Sequence, residues 1–230
     1  MLYFDSTYLV VIPALIFAFI AQCMVKLTFE KYSKVNSSRG ITAYDTARKI
    51  LDENGLYNVS IERVSGTLTD HYDPKSNVVR LSESVYDSTS VAAIGVAAHE
   101  TGHAIQYANG YVPIKLRNAI IPVTQLGSTL AVPLVLIGLL FNRSMGFLIT
   151  VGILLYTAVV LFQAITLPVE FNASRRALKI LEGSYILESD EVRMSKKVLT
   201  AAAMTYVAAM FSSLATLLRL ILLSNRGNRR

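Results

Sequence analysis

Hydrophobic residues gather in four long runs separated by polar segments of unequal length. Residues 8–28 read YLVVIPALIFAFIAQCMVKLT, which as an α-helix extends roughly 30 Å, the thickness of a hydrocarbon core. Residues 120–141 and 147–167 form two further runs, parted only by Asn142, Arg143, Ser144, Met145 and Gly146. That spacing predicts a tight hairpin of two spanning helices. A fourth run, 201–223, is Ala-rich and carries Arg219, whose stem can carry its charge to the headgroups from near a helix end. This run is expected either to span or to lie along the surface. Lys26, Lys31 and Lys34 follow the first run and no basic segment precedes it. It therefore reads as a retained anchor and not a signal peptide, with Pro13 tolerated as a kink.

Between the first two runs lie about ninety residues, enough for a small core. Residues 41–54 predict an amphipathic helix with Ile41, Ala47, Ile50 and Leu51 on one side and Gly55 as its stop. Residues 59–64 and 77–81 predict short strands, separated by a turn around Asp73 and Pro74. Asp87, Ser88, Thr89 and Ser90 then offer caps for a helix running to about Tyr107, with Asn109 and Gly110 ending it.

Composition agrees with a membrane protein carrying a small polar domain. Of 230 residues, 53% are hydrophobic and 17% charged, and the mean hydropathy is +0.45, which sets aside a fully water-soluble enzyme. Cys23 is the single cysteine, so no disulfide framework exists. The 22 Lys and Arg exceed the 16 Asp and Glu, and their placement gives the reason. Eleven lie from Lys26 to Arg117 and six between Pro168 and Thr200, two segments that four spans put on one side. By the positive-inside rule that side is cytoplasmic. Residues before Tyr8 carry no Lys or Arg and the hairpin carries only Arg143, whereas Arg226, Arg229 and Arg230 in the tail run against the rule. Juxtamembrane cations facing an anionic leaflet account for the basic balance without nucleic acid, for which no motif is present. The N-x-S triplets at Asn36, Asn58, Asn142 and Asn172 would matter only in a lumenal compartment and read as chance.

Chemistry concentrates in VAAHETGHAIQ. His99 and His103 stand four residues apart, so on a helix both imidazoles project from one face and can share a tetrahedral metal. Glu100 beside them is placed to take a proton from a water that the cation activates. With 3 His in the chain, such an HExxH pattern arises by chance in on the order of one chain in a thousand. The plainer alternative, two ordinary His and a solvated Glu, conflicts with the small apolar run from Val91 to Ala98. A buried helix has little use for three polar groups unless a cation pairs them.

Zinc requires a third protein ligand and leaves one position for water. No His stands six residues beyond His103, so the ligand comes from elsewhere: His71 and the carboxylates on the same side form the pool. Glu170 stands out in LPVEFNASRRA, directly after the third run. It is either a costly interior carboxylate awaiting a metal or a charge at the start of a helix, favoured by the macrodipole. Ser174, four residues on, shares its face and could hydrogen-bond His99 or His103, and Asn172 less directly. His71, in TDHYDP, could polarise the scissile carbonyl or stabilise an oxyanion. Otherwise it is a turn residue between Asp70 and Asp73. Tyr72 is the alternative donor.

HETGHAIQ, LPVEFNASRRA and LTDHYDPKSNVVRLS together resemble the membrane-bound neutral zinc metallopeptidases, zinc-dependent peptidase family 2, over essentially the whole chain. The chain resembles the heat-shock and prenyl-protein membrane metalloproteases more distantly. In those relatives the third ligand is a Glu opening an E-x-x-x-D motif after a membrane hairpin, which implies Glu170. This chain departs from them in having Ser174 where they have Asp, and a hydroxyl orients an imidazole less strongly than a carboxylate. The resemblance also implies that the strand just before the HExxH helix runs along the cleft, where substrate backbone adds to it.

The fold expected is a mainly α membrane protein: about four transmembrane helices and a small α+β zincin-like metallopeptidase domain on the HExxH helix. Its expected divisions are an anchor over 1–29, the zincin-like domain over 30–117, the hairpin over 118–168, a helical segment with the third ligand over 169–200, and a spanning or interfacial helix with a basic tail over 201–230. The function expected is a Zn2+-dependent endopeptidase of the cell membrane. Its site faces the cytoplasm, it acts on protein or peptide substrates, and it makes no use of nucleic acid. The sequence leaves the oligomeric state open. A scaffold or chaperone-like protein with structural zinc is the alternative, distinguished by a fourth protein ligand such as His71. A transporter fits less well, because the runs hold almost no internal charge.

Overall fold

The computed structural model describes residues 7–227. Residues 1–6, and Arg229 and Arg230 of the tail, which entered the topology argument, lie outside them. In chain order the elements are α1 (Tyr8–Tyr32), α2 (Ala43–Glu53), β1 (Ser60–Val64), β2 (His71–Asp73), β3 (Val78–Ser82), α3 (Val91–Ala108), α4 (Val112–Leu140), α5 (Asn142–Met145), α6 (Phe147–Gly183) and α7 (Ser189–Gly227). Helices α1, α4, α6 and α7 are each long and apolar enough to cross a membrane. The protein is thus mainly helical, with four candidate spans and one three-stranded sheet.

Two compact units divide the chain. One gathers the chain through Gln22, Leu116–Leu167 and the residues from Thr205 on; the other holds Cys23–Lys115 and Pro168–Met204. In the first unit, α4 and α6 meet backbone to backbone. A Cβ built on Gly152 would lie 2.7 Å from the Ala131 carbonyl oxygen, and one on Gly127 would overlap the Leu155 carbonyl. Lipid supplies no hydrophobic drive between helices, so close packing of this kind holds them together. The fourth run packs as a helix along α1: Phe17 and Phe211 meet edge to face at 6.2 Å, and Ser212 Oγ donates to the Ala14 carbonyl at 3.4 Å. Arg219 lays its guanidinium 3.8 Å over the Tyr8 ring and donates to Thr7 Oγ1, at the start of the first span.

In the second unit side chains cap both α2 and α3, α2 through Thr42, which was not among the expected caps and which shortens the helix expected from residue 41, and α3 through one of the four expected candidates. Thr42 Oγ1 accepts from Asp45 N at the start of α2, and of the four candidates before α3 it is Ser90 whose Oγ accepts from Ala93 N. Ile50, Leu51, Leu81, Ile94, Leu181 and Ile186 form the fully buried centre. The sheet order is β1-β3-β2, with β1 parallel and β2 antiparallel to β3. Two expectations need correcting here. Residues 71–73, read as the approach to a turn, form β2. And β3, the strand just before the HExxH helix, is central with both edges paired, so only β2 can offer a free edge beside α3.

Helix boundaries also differ from the hydropathy runs. α6 continues beyond Leu167 through Pro168 because Val169, Ala173, Ala177 and Leu181 recur every fourth residue as one fully buried stripe. Likewise α7 begins at Ser189, well before the apolar run, with Ser195, Val198 and Leu199 buried. Periodicity, which hydropathy averaging conceals, carries each helix across the polar segment.

Candidate metal centre

α3 is buried nearly all round, and its HExxH turn meets α6 at one close contact. A Cβ on Gly102 would lie 2.9 Å from the Ala173 carbonyl oxygen, so only glycine lets the two backbones approach this far. Gly102 is flanked on its helix by His99 and His103, and Ala173 by Glu170 and Ser174. The contact therefore brings all four functional side chains together. His99 Nε2 and His103 Nε2 lie 3.3 and 3.4 Å from the same oxygen, Glu170 Oε2. The imidazoles are nearly perpendicular, with centroids 4.8 Å apart, and one donor atom from each of the three residues lies within 4.8 Å of the others.

Both imidazoles have their far nitrogens engaged. Gln106 Nε2 donates to the Val169 carbonyl at 2.8 Å and to Asn172 Oδ1 at 3.0 Å, which fixes the amide so that its Oε1 faces His103 Nδ1 at 3.0 Å. His103 must then carry its proton on Nδ1 and present an Nε2 lone pair to the cluster. Arg176 Nε in turn donates to Asn172 Oδ1 at 2.8 Å, holding that amide. His99 has one partner of this kind, Ser174 Oγ at 3.1 Å from Nδ1. Of the two possibilities Ser174 offered, it takes His99, and Asn172 acts on His103 only through Gln106.

Glu170 is 3% exposed and lies in the interior of α6, so no free helix N-terminus is present to stabilise its charge. That removes the macrodipole explanation. Glu100 is buried and accepts the Tyr72 N–H at 3.1 Å, which ties it to the edge strand β2. Burial pushes the Glu100 carboxyl up to about 7; His99 pulls it down, Glu170 and Asp70 push it up, and the Tyr72 N–H pulls it down. Asp70 accepts from Ser82 N at 2.7 Å and Ser82 Oγ at 3.0 Å, pinning the start of β2 to the end of β3. Burial raises its carboxyl despite those bonds.

His71 is exposed at the start of β2, its Nδ1–H donating to the Thr69 carbonyl at 2.8 Å. It does not join the metal-donor cluster among the described residues. Tyr72 has its hydroxyl committed to Asn77 Oδ1 at 2.8 Å, with its ring against Tyr107 at 5.4 Å.

A family described as "Putative neutral zinc metallopeptidase" matches residues 7–225. The chain belongs to this family. Among curated proteins, "Putative membrane protease YugP" of Bacillus subtilis (strain 168) is 51% identical over 216 residues, covering 94% of this chain and 95% of that protein. No solved structure matches the chain.

Zn2+ is the metal that membership in the neutral zinc metallopeptidase family implies. The residues fit it: two imidazole nitrogens and one carboxylate oxygen form a donor set of the kind zinc takes. Three residues that shape this candidate site went unread in the sequence: Gly102, Gln106 and Arg176. A glycine inside a helical pattern was the available signal for the first. Gln106, three residues after His103 on the same face, was the signal for the second. Nothing local marked Arg176, whose role exists only through Asn172.

Proposed function

We propose that this membrane metallopeptidase is an endopeptidase in which His99, His103 and Glu170 hold zinc, and that its site faces the cytoplasm. The convergence of both Nε2 atoms on Glu170 Oε2, with both Nδ1 atoms engaged elsewhere, carries the reading. Zinc held there supplies a water that is nucleophilic near neutral pH and polarises the scissile carbonyl. Glu100 accepts a proton from the attacking water and delivers it to the leaving amine. Among the described residues the outer edge of β2, whose Tyr72 N–H is already donated to Glu100, is the sheet edge beside α3 to which an extended substrate would add. His71, at the head of that strand, is the candidate oxyanion donor and would act through Nε2 with both ring nitrogens protonated, since its Nδ1–H is held by the Thr69 carbonyl; the Tyr72 hydroxyl is already held by Asn77. The gathering of 16 of the 22 Lys and Arg in the second unit supports the cytoplasmic orientation.

Three clustered donors also argue against a structural zinc site, which would close with a fourth. The test compares the unmodified chain with Glu100→Gln for bound zinc and for cleavage of an unfolded or membrane protein substrate. Zinc stays near one equivalent while cleavage falls by about 10³-fold or more, the scale of a lost proton-transfer group. Undiminished cleavage would remove Glu100 from the mechanism.

A further inference from the structure

Two grooves in the second unit, of about 660 and 650 Å³, share one wall: the α7 stripe Arg193, Lys196, Thr200 and Met204. Along this stripe polarity changes in one direction, from two cations through a hydroxyl to a thioether, over roughly 16 Å of helix. The facing walls repeat the gradient. On α1, in the second groove, it runs Lys31, Thr28, Met24. On α6, in the first, it runs Lys179, Arg175, Phe171. The apolar ends are open, with Leu27 67%, Phe171 44% and Met24 39% exposed. At the polar ends Glu182 is the one acid lining either groove. Among the described residues no ion pair neutralises Arg175, Lys179, Arg193 or Lys196.

A site for a free anion needs cations alone, and a site for an acidic peptide needs no ordered change from charge to hydrocarbon. An amphiphile with an anionic head needs both, in this order. We propose that these grooves seat an acidic glycerophospholipid, its phosphate between Arg193 and Lys196 and its acyl chains lying against Met204, Phe171, Met24 and Leu27. The seat is discrete and saturable, unlike the diffuse attraction of basic residues to an anionic leaflet. It does not depend on the proteolytic reading, because its readout is bound lipid.

The full chain is reconstituted in nanodiscs of phosphatidylcholine containing phosphatidylglycerol, and retained lipid is counted by native mass spectrometry. The unmodified protein retains phosphatidylglycerol in preference to phosphatidylcholine, and the double variant Arg193→Gln/Lys196→Gln retains at least fivefold less. Lys49→Gln/Lys75→Gln, with the same change in net charge away from the grooves, retains as much as the unmodified chain. If the first variant loses its helical circular dichroism, Arg175→Gln/Lys179→Gln on the opposite wall reads the same loss. Equal retention by the groove and control variants overturns the proposal. So does inorganic phosphate displacing the lipid at matched concentration, which would make the site one for a free anion. Ser174 lines the first groove, so a substrate channel is the remaining competitor. Unchanged lipid retention, with lost cleavage of a soluble acidic peptide in lipid-free detergent, would establish that channel instead.

Discussion

The protein uses the same device twice, and for different ends. In the membrane unit Gly152 admits the Ala131 carbonyl, and in the second unit Gly102 admits the Ala173 carbonyl, with hypothetical Cβ distances of 2.7 and 2.9 Å. In lipid the close approach is itself the source of cohesion, since apolar side chains gain nothing by leaving a hydrocarbon solvent. In the second unit, around α3, cohesion comes from the buried core around Ile94 and Leu181. There the close approach does something else, setting the height at which Glu170 meets the two imidazoles. Equal crowding therefore has unequal chemical consequences.

The largest expected effect breaks that parallel directly. Gly102→Ala gains about 1 kcal/mol of helix propensity but loses about 1–3 kcal/mol to overpacking, and it pushes α6 away from the imidazoles. Bound zinc, measured by atomic absorption after dialysis, falls well below one equivalent and peptidase activity goes with it. Gly152→Ala suffers a similar clash, yet keeps its zinc and shows its defect as a lower melting temperature in detergent. Equal zinc loss in both variants would mean that the Gly102 contact has no special part in building the site.

A smaller effect separates the two imidazoles. Gln106→Leu removes the amide that fixes the His103 tautomer and with it the side-chain donation to the Val169 carbonyl, leaving Asn172 Oδ1 with Arg176 as its donor. Zinc affinity is expected to fall about 10–100-fold. Ser174→Ala removes one hydroxyl from His99 and falls at the low end of that range. Titration against a competing chelator ranks them, and a larger loss in Ser174→Ala would reverse the assignment of the stronger support to His103.

The smallest effect lies in the hairpin that carries the free strand edge. The Ser76 hydroxyl, Arg80 and the Lys75 N–H hold the Asp73 carboxyl below the ordinary carboxylate range. A depressed carboxylate lends stability that is fully present above its unfolded pKa of about 3.9 and is lost as pH falls toward the folded value. Below about pH 4 the β2–β3 hairpin loses this support. Amide exchange at Tyr72 and Val79 should rise with acid in the unmodified protein and show a flatter acid dependence in Asp73→Asn.

Local patterns made much of this protein legible. Four apolar runs predicted four long helices, and Ser90 was among the candidate caps before α3, whereas the Thr42 cap of α2 emerged only from the structure. His99, Glu100 and His103 carried their chemistry in their spacing, because helix geometry alone places residues four apart on one face. β2 was unreadable by contrast: three residues beside an Asp-Pro turn signal have no periodicity of their own and become a strand only by pairing with β3. The helix boundaries were misplaced wherever a buried stripe ran on beneath charged neighbours, as from Val169 to Leu181.

Glu170 marks the division most clearly. Composition and spacing pointed to a membrane protein with a helix bearing two candidate metal ligands, since hydropathy and helical periodicity act over a few turns and are written in consecutive residues. They left Glu170 balanced between a ligand and a helix-end charge, and only family resemblance inclined it toward the metal. Tertiary structure alone brings Glu170 to the imidazoles, because its partner is a helix many residues away, reached through a glycine whose missing side chain is informative only once the opposing carbonyl is known. The orientation of His103 by Gln106, Asn172 and Arg176 was decided the same way, through hydrogen bonds that exist only when α3 and α6 lie side by side.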